Sequence, residues 1–194
     1  ELYEELKRLN ITIVRPAINK CFSDFTSNGK HFFYALGAIK NVGYEAISNI
    51  VQERETNGKY KNLSNFIKRV NPKDINKLQL EGLVRAGAFD NLNDNRQSIY
   101  NSIPNIILKS KNNFENKQAN QFDLFNDKLS NEENILDDIE DWNIDIRLTK
   151  EFETLGFYIS DHPLNQYKSI VDQYNIVSFD NFQNDENLLS SNIA

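Results

Sequence analysis

The sequence contains no methionine among its 194 residues. Because a newly made chain begins with methionine, and aminopeptidases rarely remove it before a bulky residue such as Glu1, we expect an internal piece of a longer polypeptide. The single cysteine, Cys21, excludes an intrachain disulfide and is typical of a reducing cytoplasm. No stretch approaches the roughly 20 apolar residues of a membrane span, and no apolar run follows a positively charged start. These absences predict a cytoplasmic protein without a membrane partner.

The net charge of −6 is unevenly distributed along the chain. Residues 1–120 hold 18 Lys and Arg against 12 Asp and Glu, a balance of +6, whereas residues 121–194 hold 4 against 16, a balance of −12. A modest positive excess is typical of a module that makes a few phosphate contacts within a larger assembly. DNA would repel the acidic part, so we expect the two parts to have different partners or different neighbours.

Residues 36–55 have the pattern of a helix-hairpin-helix, in which a tight turn at residues 41–43 joins two short helices. Asn41 and Gly43 are residue types that tolerate a positive φ, so the turn can bring its backbone N–H groups close to a phosphate beside the positive end of the second helix. Such an element contacts the DNA backbone and reads no bases. The alternative is a helical hairpin buried for packing alone. Apolar residues that would lock the two helices together are Ile39, Val42, Ile47, Ile50 and Val51.

A small β element is predicted ahead of this hairpin. Residues 1–10 have leucines at helical spacing, and residues 11–14 form a short strand that ends before Pro16. Residues 22–34 place Asn28-Gly29 between two aromatic-rich arms, which is the strongest short signal for a β-hairpin. We assign residues 1–30 to the end of a preceding region and the start of this hairpin.

A second helical hairpin follows the first at a spacing of roughly 44 residues. Gly58 ends the first unit, and residues 63–70 form a linking helix with Leu63, Phe66, Ile67 and Val70 on one face. Residues 75–84, with Leu78, Leu80, Leu83 and Val84, then form a helix that leads into a tight turn at residues 86–89. A further helix begins near Asp94 or Asn95 and kinks at Pro104. Two stacked units can share one core, so we predict one tandem helix-hairpin-helix domain over residues 31–110.

The composition changes to Asn, Lys, Gln, Asp and Glu near residue 110, which predicts a flexible linker over residues 111–134. An apolar cluster, Gln121–Phe125, lies inside this polar tract. An exposed Phe-x-x-Phe is typical of a peptide that docks elsewhere, and the alternative is a loop that folds back onto its own domain. The predicted fold class is therefore mainly α, with a small N-terminal β-hairpin, a flexible linker and short C-terminal helices.

Residues 135–175 are predicted to be an acidic segment followed by helices. The carboxylates around Trp142 lack the order of a calcium loop, and we expect a solvated acidic face in place of a metal site. A helix over residues 147–158 should direct Leu148, Phe152 and Leu155 inward and end at Gly156. His162 is expected to cap or pack before a short helix at residues 165–174, and residues 176–194 begin a next domain.

Four stretches together resemble the alpha subunits of bacterial DNA polymerase III. They are YALGAIKNVG at residues 34–43, LVRAGAFD at 83–90, QFDLF at 121–125 and LGFYISDHPL at 155–164. The resemblance implies a segment between the fingers and an OB-fold, with tandem helix-hairpin-helix elements that hold duplex DNA. It also implies that the palm aspartates that bind Mg²⁺ lie outside this sequence, so the segment needs no cofactor or metal and has no catalytic residue of its own. The parent would be a DNA-directed DNA polymerase, a nucleotidyltransferase.

The expected DNA contacts are backbone N–H groups of the two turns together with two nearby cations. We expect them to be independent of base sequence, and Gly43→Val to damage a turn that needs a positive φ. The family's usual hairpin has Gly in place of Asn41 and often Lys in place of Glu45, so Glu45 removes one cation near the phosphate. The predicted DNA-binding residues are Lys40, Asn41, Val42, Gly43 and Tyr44 in the first turn and Arg85, Ala86, Gly87 and Ala88 in the second.

The expected protein partners are the sliding clamp and other subunits of the polymerase III holoenzyme. In the clamp peptide, Leu124 and Phe125 would enter an apolar pocket, Gln121 would hydrogen-bond at its rim, Asp123 would keep the free peptide soluble, and Phe122 fits least well. The competing functions are a DNA-gripping fragment of a nuclease or repair enzyme and a purely structural spacer. A nuclease would need a catalytic constellation of carboxylates or lysine, and the sequence contains none that is evident.

Overall fold

The computed structural model describes residues 5–6, 8–118 and 135–174. These residues form two compact units, one that extends to Ser160 and a second that begins at Asp161. In the described parts of the chain, no helix is both long and apolar enough to cross a bilayer.

The first unit begins with a three-stranded sheet. Its strands are β1 (Thr12–Val14), β2 (Thr26–Ser27) and β3 (His31–Phe33), in the spatial order β1-β3-β2. Strands β2 and β3 pair antiparallel across Asn28-Gly29, which confirms the predicted hairpin. Strand β1 pairs parallel to β3, with Thr12 opposite His31, and this pairing was not predicted because a three-residue strand carries no signal of its partner.

Helices make up most of the described chain, and this confirms the predicted fold class. The first unit also has a 3₁₀ turn at Leu36–Ala38 and another at Pro72–Asp74. Its α-helices are α1 (Tyr44–Asn57), α2 (Leu63–Arg69), α3 (Lys77–Arg85), α4 (Arg96–Asn101), α5 (Ile103–Gln118) and α6 (Ile144–Leu155).

Several helix ends follow from local residues. Asn62, Asn76, Asn95 and Asn143 accept hydrogen bonds at the starts of α2, α3, α4 and α6, and this satisfies an N–H that a helix start leaves free. Helix α1 ends at Gly58, as predicted, with a φ of +82°. The predicted kink near Pro104 is a break at Ser102, which separates α4 from α5.

The core lies between α1, α2, α3 and the two helices that follow them. Phe66 is at its centre, with edge contacts to Tyr60 and to Phe89 at centroid distances of 5.1 Å each. The predicted inner face of α2 is confirmed, because Leu63, Phe66, Ile67 and Val70 are all buried. On α3, Leu80, Leu83 and Val84 are buried, but Leu78 is exposed and the prediction for that residue was wrong.

The C-terminal end of α1 is tied to the chain that precedes the sheet hairpin. The buried Arg54 guanidinium donates from Nη1 to the carbonyl oxygens of Ile18 at 2.8 Å and Cys21 at 2.6 Å. Cys21 itself is fully buried, which fits a small structural residue, and burial raises the pKa of its thiol. Helix α1 therefore has a fixed position relative to the N-terminal part of the unit.

The predicted first helix of the first hairpin is wrong. Its place is taken by the 3₁₀ turn Leu36–Ala38, because the N–H groups of Leu36 and Gly37 donate to the carbonyls of Phe22 at 2.8 Å and Ser23 at 3.1 Å. A β-carbon on Gly37 would lie 2.7 Å from the Ser23 oxygen, so this close approach requires glycine. The first hairpin is thus a 3₁₀ turn followed by one long helix.

The predicted linker over residues 111–134 begins too early. Helix α5 continues to Gln118, although its buried side chains Ile103, Ile106 and Ser110 all lie before residue 111. The amine of Lys117 also donates to the Lys68 carbonyl at 2.6 Å. The remainder of the predicted linker, including Gln121–Phe125, lies outside the described residues.

The acidic segment does not form a unit over residues 135–175. Residues 135–160 pack against the helical hairpins, and the division of the chain falls after Ser160. Helix α6 begins three residues earlier than predicted and ends at Gly156, which has a φ of +83°. Leu148 is buried as predicted, but Phe152 is 47% exposed, which corrects its predicted inward position.

The second unit is described only to residue 174. It contains a 3₁₀ turn, Pro163–Tyr167, and a short helix, α7 (Lys168–Gln173). His162 precedes the turn, and its Nδ1 accepts the Leu164 N–H at 3.2 Å. The predicted capping role of His162 is confirmed.

Candidate nucleic-acid interface

The first turn has an exposed and strained backbone. Asn41 has a φ of +66°, the left-handed conformation for which its residue type was singled out. The buried Val42 side chain holds the turn to the core, and the Val42 N–H donates to the Ile39 carbonyl at 3.0 Å. Gly43 has a φ of −77° and a ψ of +131°, which is ordinary extended backbone. The expectation that Gly43 needs a positive φ was wrong, because Asn41 alone reverses the chain.

Backbone N–H groups are available at this turn. Gly43 is the residue before α1, and no side chain caps the helix there. Within the described part of the chain, the N–H groups of Asn41, Gly43 and Tyr44 have no protein acceptor. The start of a 14-residue helix carries a partial positive charge, and an anion is its natural partner.

The side chains around the turn have mixed charge. Lys40 is exposed beside the free N–H groups. Glu45 lies in the first turn of α1, where a carboxylate competes with a phosphate for the same positive end. Tyr44 is 54% exposed and its hydroxyl donates to Asp24 at 2.7 Å, which fixes the ring beside the turn. Lys40 therefore supplies the positive side chain of the first turn.

The second turn has the predicted positive φ but not the predicted exposure. Gly87 has a φ of +74°, yet the whole turn is buried, with Ala88 fully inaccessible. The N–H groups of Ala86, Gly87 and Ala88 donate to the carbonyls of Gly82, Val84 and Leu83 at 2.9–3.0 Å. Their hydrogen bonds are therefore made within the chain, and the expectation that these N–H groups point outward was wrong.

The cation of the second turn is also occupied. Arg85 donates from Nη2 to the Tyr100 hydroxyl at 2.8 Å and lies 4.0 Å from the Glu153 carboxylate. The structure does bring Arg85 and Lys40 together, since both line one cleft of about 400 Å³. The cleft also contains Glu81 and Glu153, so its charges largely cancel.

Arg96 covers the second turn from the other side. Its guanidinium is 3% exposed and donates to both oxygens of Asp90, at 2.9 and 2.7 Å, and to Glu151 at 3.4 Å. Burial alone would lower the pKa of Arg96, but the carboxylates of Asp90 and Glu151 outweigh it and raise that pKa. A β-carbon on Gly87 would lie 2.2 Å from Arg96 Nη2, so glycine is required there for space as well as for φ.

Sequence reasoning missed Arg96 and Glu151 as structural residues of this region. Each lies in a helix among other charged residues, and 55 positions separate them, so no local pattern links the two. The predicted clamp-binding residues Gln121, Phe122, Asp123, Leu124 and Phe125 lie outside the described residues. In the described ranges, no group of His, Cys, Asp and Glu side chains has the arrangement of a metal site.

Comparisons with known proteins agree with this geometry. A family model described as a helix-hairpin-helix motif matches residues 10–99, which include both turns. Three curated relatives are named DNA polymerase III subunit alpha. The one from Borreliella burgdorferi is 35% identical over 88% of this chain, the one from Caulobacter vibrioides 34% over 84%, and the one from Rickettsia bellii 40% over 75%.

The chain spans only a small part of these relatives, 15%, 14% and 12% of their lengths respectively. The match is therefore to one segment of a much longer protein. It extends beyond the helix-hairpin-helix motif, because the alignments cover three quarters or more of this chain. The resemblance indicated by the sequence motifs is confirmed: the chain is a relative of one helix-hairpin-helix segment of the bacterial DNA polymerase III alpha subunit.

Proposed function

We propose that this segment binds the phosphate backbone of duplex DNA through its first turn and without regard to base sequence. The observation that carries the proposal is the exposed turn at Asn41, whose free N–H groups precede a helix start that no side chain caps. Lys40 adds one cation, and N–H groups with one lysine offer no means of reading bases. The helix-hairpin-helix motif and the named relatives support the same function.

The second turn serves as the support for the first. Its N–H groups are satisfied within the chain and its arginine is paired, so it contributes packing and no phosphate contact. The segment therefore has one phosphate-binding turn in place of two. A single grip predicts weak binding on its own, which becomes useful when other parts of a longer protein hold the same duplex.

The test is fluorescence anisotropy of the 194-residue chain with two labelled duplexes of unrelated sequence, at several salt concentrations. We expect the affinity to fall as salt rises, with a log–log slope of about −1 to −2 for one or two phosphate contacts. The two duplexes should differ by less than about tenfold, or roughly 1.4 kcal/mol. Absence of DNA binding at low salt would support the alternative function, in which the segment is a purely structural spacer.

We further propose that Gln121–Phe125 binds the sliding clamp, with Leu124 and Phe125 as anchors in an apolar pocket. The resemblance to the alpha subunits supports this, as does the position of the motif in a polar tract. Replacing both anchors with alanine should abolish measurable clamp binding, since a hot-spot side chain is worth about 2 kcal/mol or more. DNA binding should be retained. Unchanged clamp binding by the double variant would contradict the motif assignment.

For the longer protein we propose template-directed DNA synthesis that depends on Mg²⁺ bound elsewhere, with this segment supporting processivity and holoenzyme assembly. The segment itself should not catalyse. Incubated with primed template, nucleotides and Mg²⁺, the 194-residue chain should leave the primer unextended and the DNA uncut. Primer extension by the pure chain would contradict the proposal, and cleavage would favour the nuclease alternative.

A further inference from the structure

We propose that the acidic residues 135–160 are required for DNA binding because they position the first turn, although their charge opposes DNA. This inference deepens the proposed function and rests on it. The sequence alone predicts the opposite, since DNA repels carboxylates and their removal should then help binding. The structure separates the two effects because the positioning contacts belong to buried groups, the Thr154 carbonyl and the Glu151 carboxylate, whereas other carboxylates such as Glu153 are exposed.

The first contact joins the turn to the end of α6. The Lys40 N–H donates to the Thr154 carbonyl at 3.3 Å, across 114 positions of sequence. Thr154 is 7% exposed, so this carbonyl lies under the turn and away from bulk solvent. Helix α6 thus satisfies the backbone immediately before the left-handed Asn41.

The second contact holds the turn from α3. A β-carbon on Gly82 would lie 2.7 Å from the Lys40 carbonyl and 3.1 Å from the Val42 side chain. The turn therefore rests directly on the backbone of α3, with no side chain between them. The Lys40 N–H is hydrogen-bonded to α6 and the Lys40 carbonyl packs against α3. The peptide groups of Lys40 therefore have little freedom to rotate.

Helix α6 is in turn anchored by Glu151, which is fully buried. One oxygen accepts the N–H groups of Ile159 and Ser160 at 2.9 Å each, and the other accepts the Ser160 hydroxyl at 2.8 Å and Arg96 at 3.4 Å. The two N–H groups and the Arg96 guanidinium can only donate. A glutamine at this position would turn its NH₂ group toward either the two N–H groups or the guanidinium, so the arrangement requires a carboxylate.

The rest of the acidic segment is attached mainly by its main-chain groups, and only in part by its carboxylates. The Ser98 hydroxyl donates to the Asp137 carbonyl at 2.5 Å, the Asn95 amide donates to the Ile139 carbonyl at 2.6 Å, and the Asp137 N–H donates to Ser102 at 3.0 Å. The Asp137 side chain is exposed. Main-chain attachment lets the segment pack against α4 while it remains acidic on its surface.

Helix α6 offers a matched pair of acidic residues that distinguishes the two explanations. Glu151 is buried and anchors the helix, whereas the Glu153 side chain is 57% exposed, lines the cleft with Lys40 and lies 4.0 Å from Arg85. Replacing either one with glutamine removes the same charge. Charge repulsion alone predicts tighter DNA binding for both variants, while positioning predicts opposite effects.

The experiment compares the 194-residue chain with its Glu151→Gln and Glu153→Gln variants. Backbone hydrogen exchange at the hydrogen-bonded Lys40 and Val42 amides reports the order of the turn, and anisotropy with a duplex at low salt reports binding. In Glu151→Gln we expect the Lys40 amide to exchange about tenfold faster or more, amides of Phe66 and Ile67 to remain protected, and DNA affinity to fall about fivefold. In Glu153→Gln we expect parental exchange at the turn and equal or tighter DNA binding.

Gly82→Ala tests the turn without touching α6, and it decides the matter if Glu151→Gln does not fold. Alanine is favoured over glycine within a helix, so the change does not weaken α3 itself. We expect faster exchange at the Lys40 and Val42 amides and weaker DNA binding, with the protection of Phe66 retained.

Three outcomes overturn the inference. In the first, the Lys40 and Val42 amides of both Glu151→Gln and Gly82→Ala exchange as in the parent. In the second, these amides exchange faster but DNA affinity stays at the parental value. In the third, the parent itself does not bind DNA, which is visible without any variant and removes the proposed function as well.

Discussion

The two hairpin turns of this segment reverse the chain in the same way but differ in what surrounds them. Each has one left-handed residue, Asn41 in the first and Gly87 in the second. The first is exposed and leaves N–H groups without protein acceptors, while the second is buried under Arg96 and bonds its N–H groups to α3. This comparison shows that one copy of a repeated backbone motif can be open to a ligand while the other copy packs inside the domain. The surroundings, and not the turn itself, decide which role each copy takes.

The largest effect is expected at the second turn. Gly87→Ala places a β-carbon against the Arg96 guanidinium, adds left-handed strain and disturbs a buried ion pair, so we expect a loss of about 3 kcal/mol or more in the free energy of unfolding. Denaturant unfolding measures this. Gly156→Ala is the matched control, because Gly156 also has a positive φ but has open space around its β-carbon position; it should lose only about 1–2 kcal/mol. Equal losses in the free energy of unfolding for the two variants would show that the Arg96 side chain can move aside at little cost.

A smaller effect is expected at the left-handed residue of the first turn. Asn41→Val forces a β-branched side chain to a φ of +66°, which should lower the free energy of unfolding by about 2 kcal/mol. Asn41→Gly should be neutral within about 1 kcal/mol, because glycine adopts a positive φ readily. Thermal unfolding compares the two variants. A stable Asn41→Val variant with parental DNA affinity would mean that the turn has no need of this conformation.

The cations of the two turns should differ in their effect on DNA binding. Lys40→Ala should weaken binding about fivefold, close to 1 kcal/mol, and reduce the salt slope by about one because it removes one phosphate contact. Arg85→Ala should leave the salt slope unchanged, since Arg85 is paired with Tyr100 and Glu153. Anisotropy titrations at four salt concentrations measure both slopes. If the salt slope changed more for Arg85→Ala than for Lys40→Ala, the roles assigned to the two turns would be reversed.

The smallest effect is expected at Gly43. Its φ of −77° suits any residue, and an added β-carbon would meet only the flexible end of Gln79, at 3.1 Å. Gly43→Ala should therefore change the free energy of unfolding by no more than about 0.5 kcal/mol and leave DNA affinity at the parental value. Thermal unfolding and anisotropy check the two statements. A marked loss of DNA binding in a stable variant would indicate that a ligand approaches the Gly43 backbone closely.

The sequence predicted those parts of the fold that have local causes. The Asn28-Gly29 hairpin, helix α2 and the glycine stops at Gly58 and Gly156 follow from residue types within a few positions of each feature. The first turn was predicted for the same reason, because asparagine tolerates a left-handed backbone.

Features that depend on distant residues could not be predicted in this way. The 3₁₀ turn at Leu36–Ala38 depends on carbonyls of Phe22 and Ser23, and the burial of the second turn depends on Arg96 and Glu151. The acidic part of the chain was expected to have different partners or different neighbours because of its net charge. Net charge does not report main-chain hydrogen bonds, and these attach the segment to α4.

The hydrogen bond from Lys40 to Thr154 also sets the order in which this segment matures during synthesis. A ribosome adds about 5–20 residues per second, so 114 further residues take roughly 6–23 s after Lys40 has been made. Throughout that interval the nascent chain contains Lys40 without the carbonyl that accepts its N–H. On the proposed function, the DNA-binding turn is therefore completed only after residues 135–160 have been made, and an emerging chain has no finished turn with which to bind nearby nucleic acid.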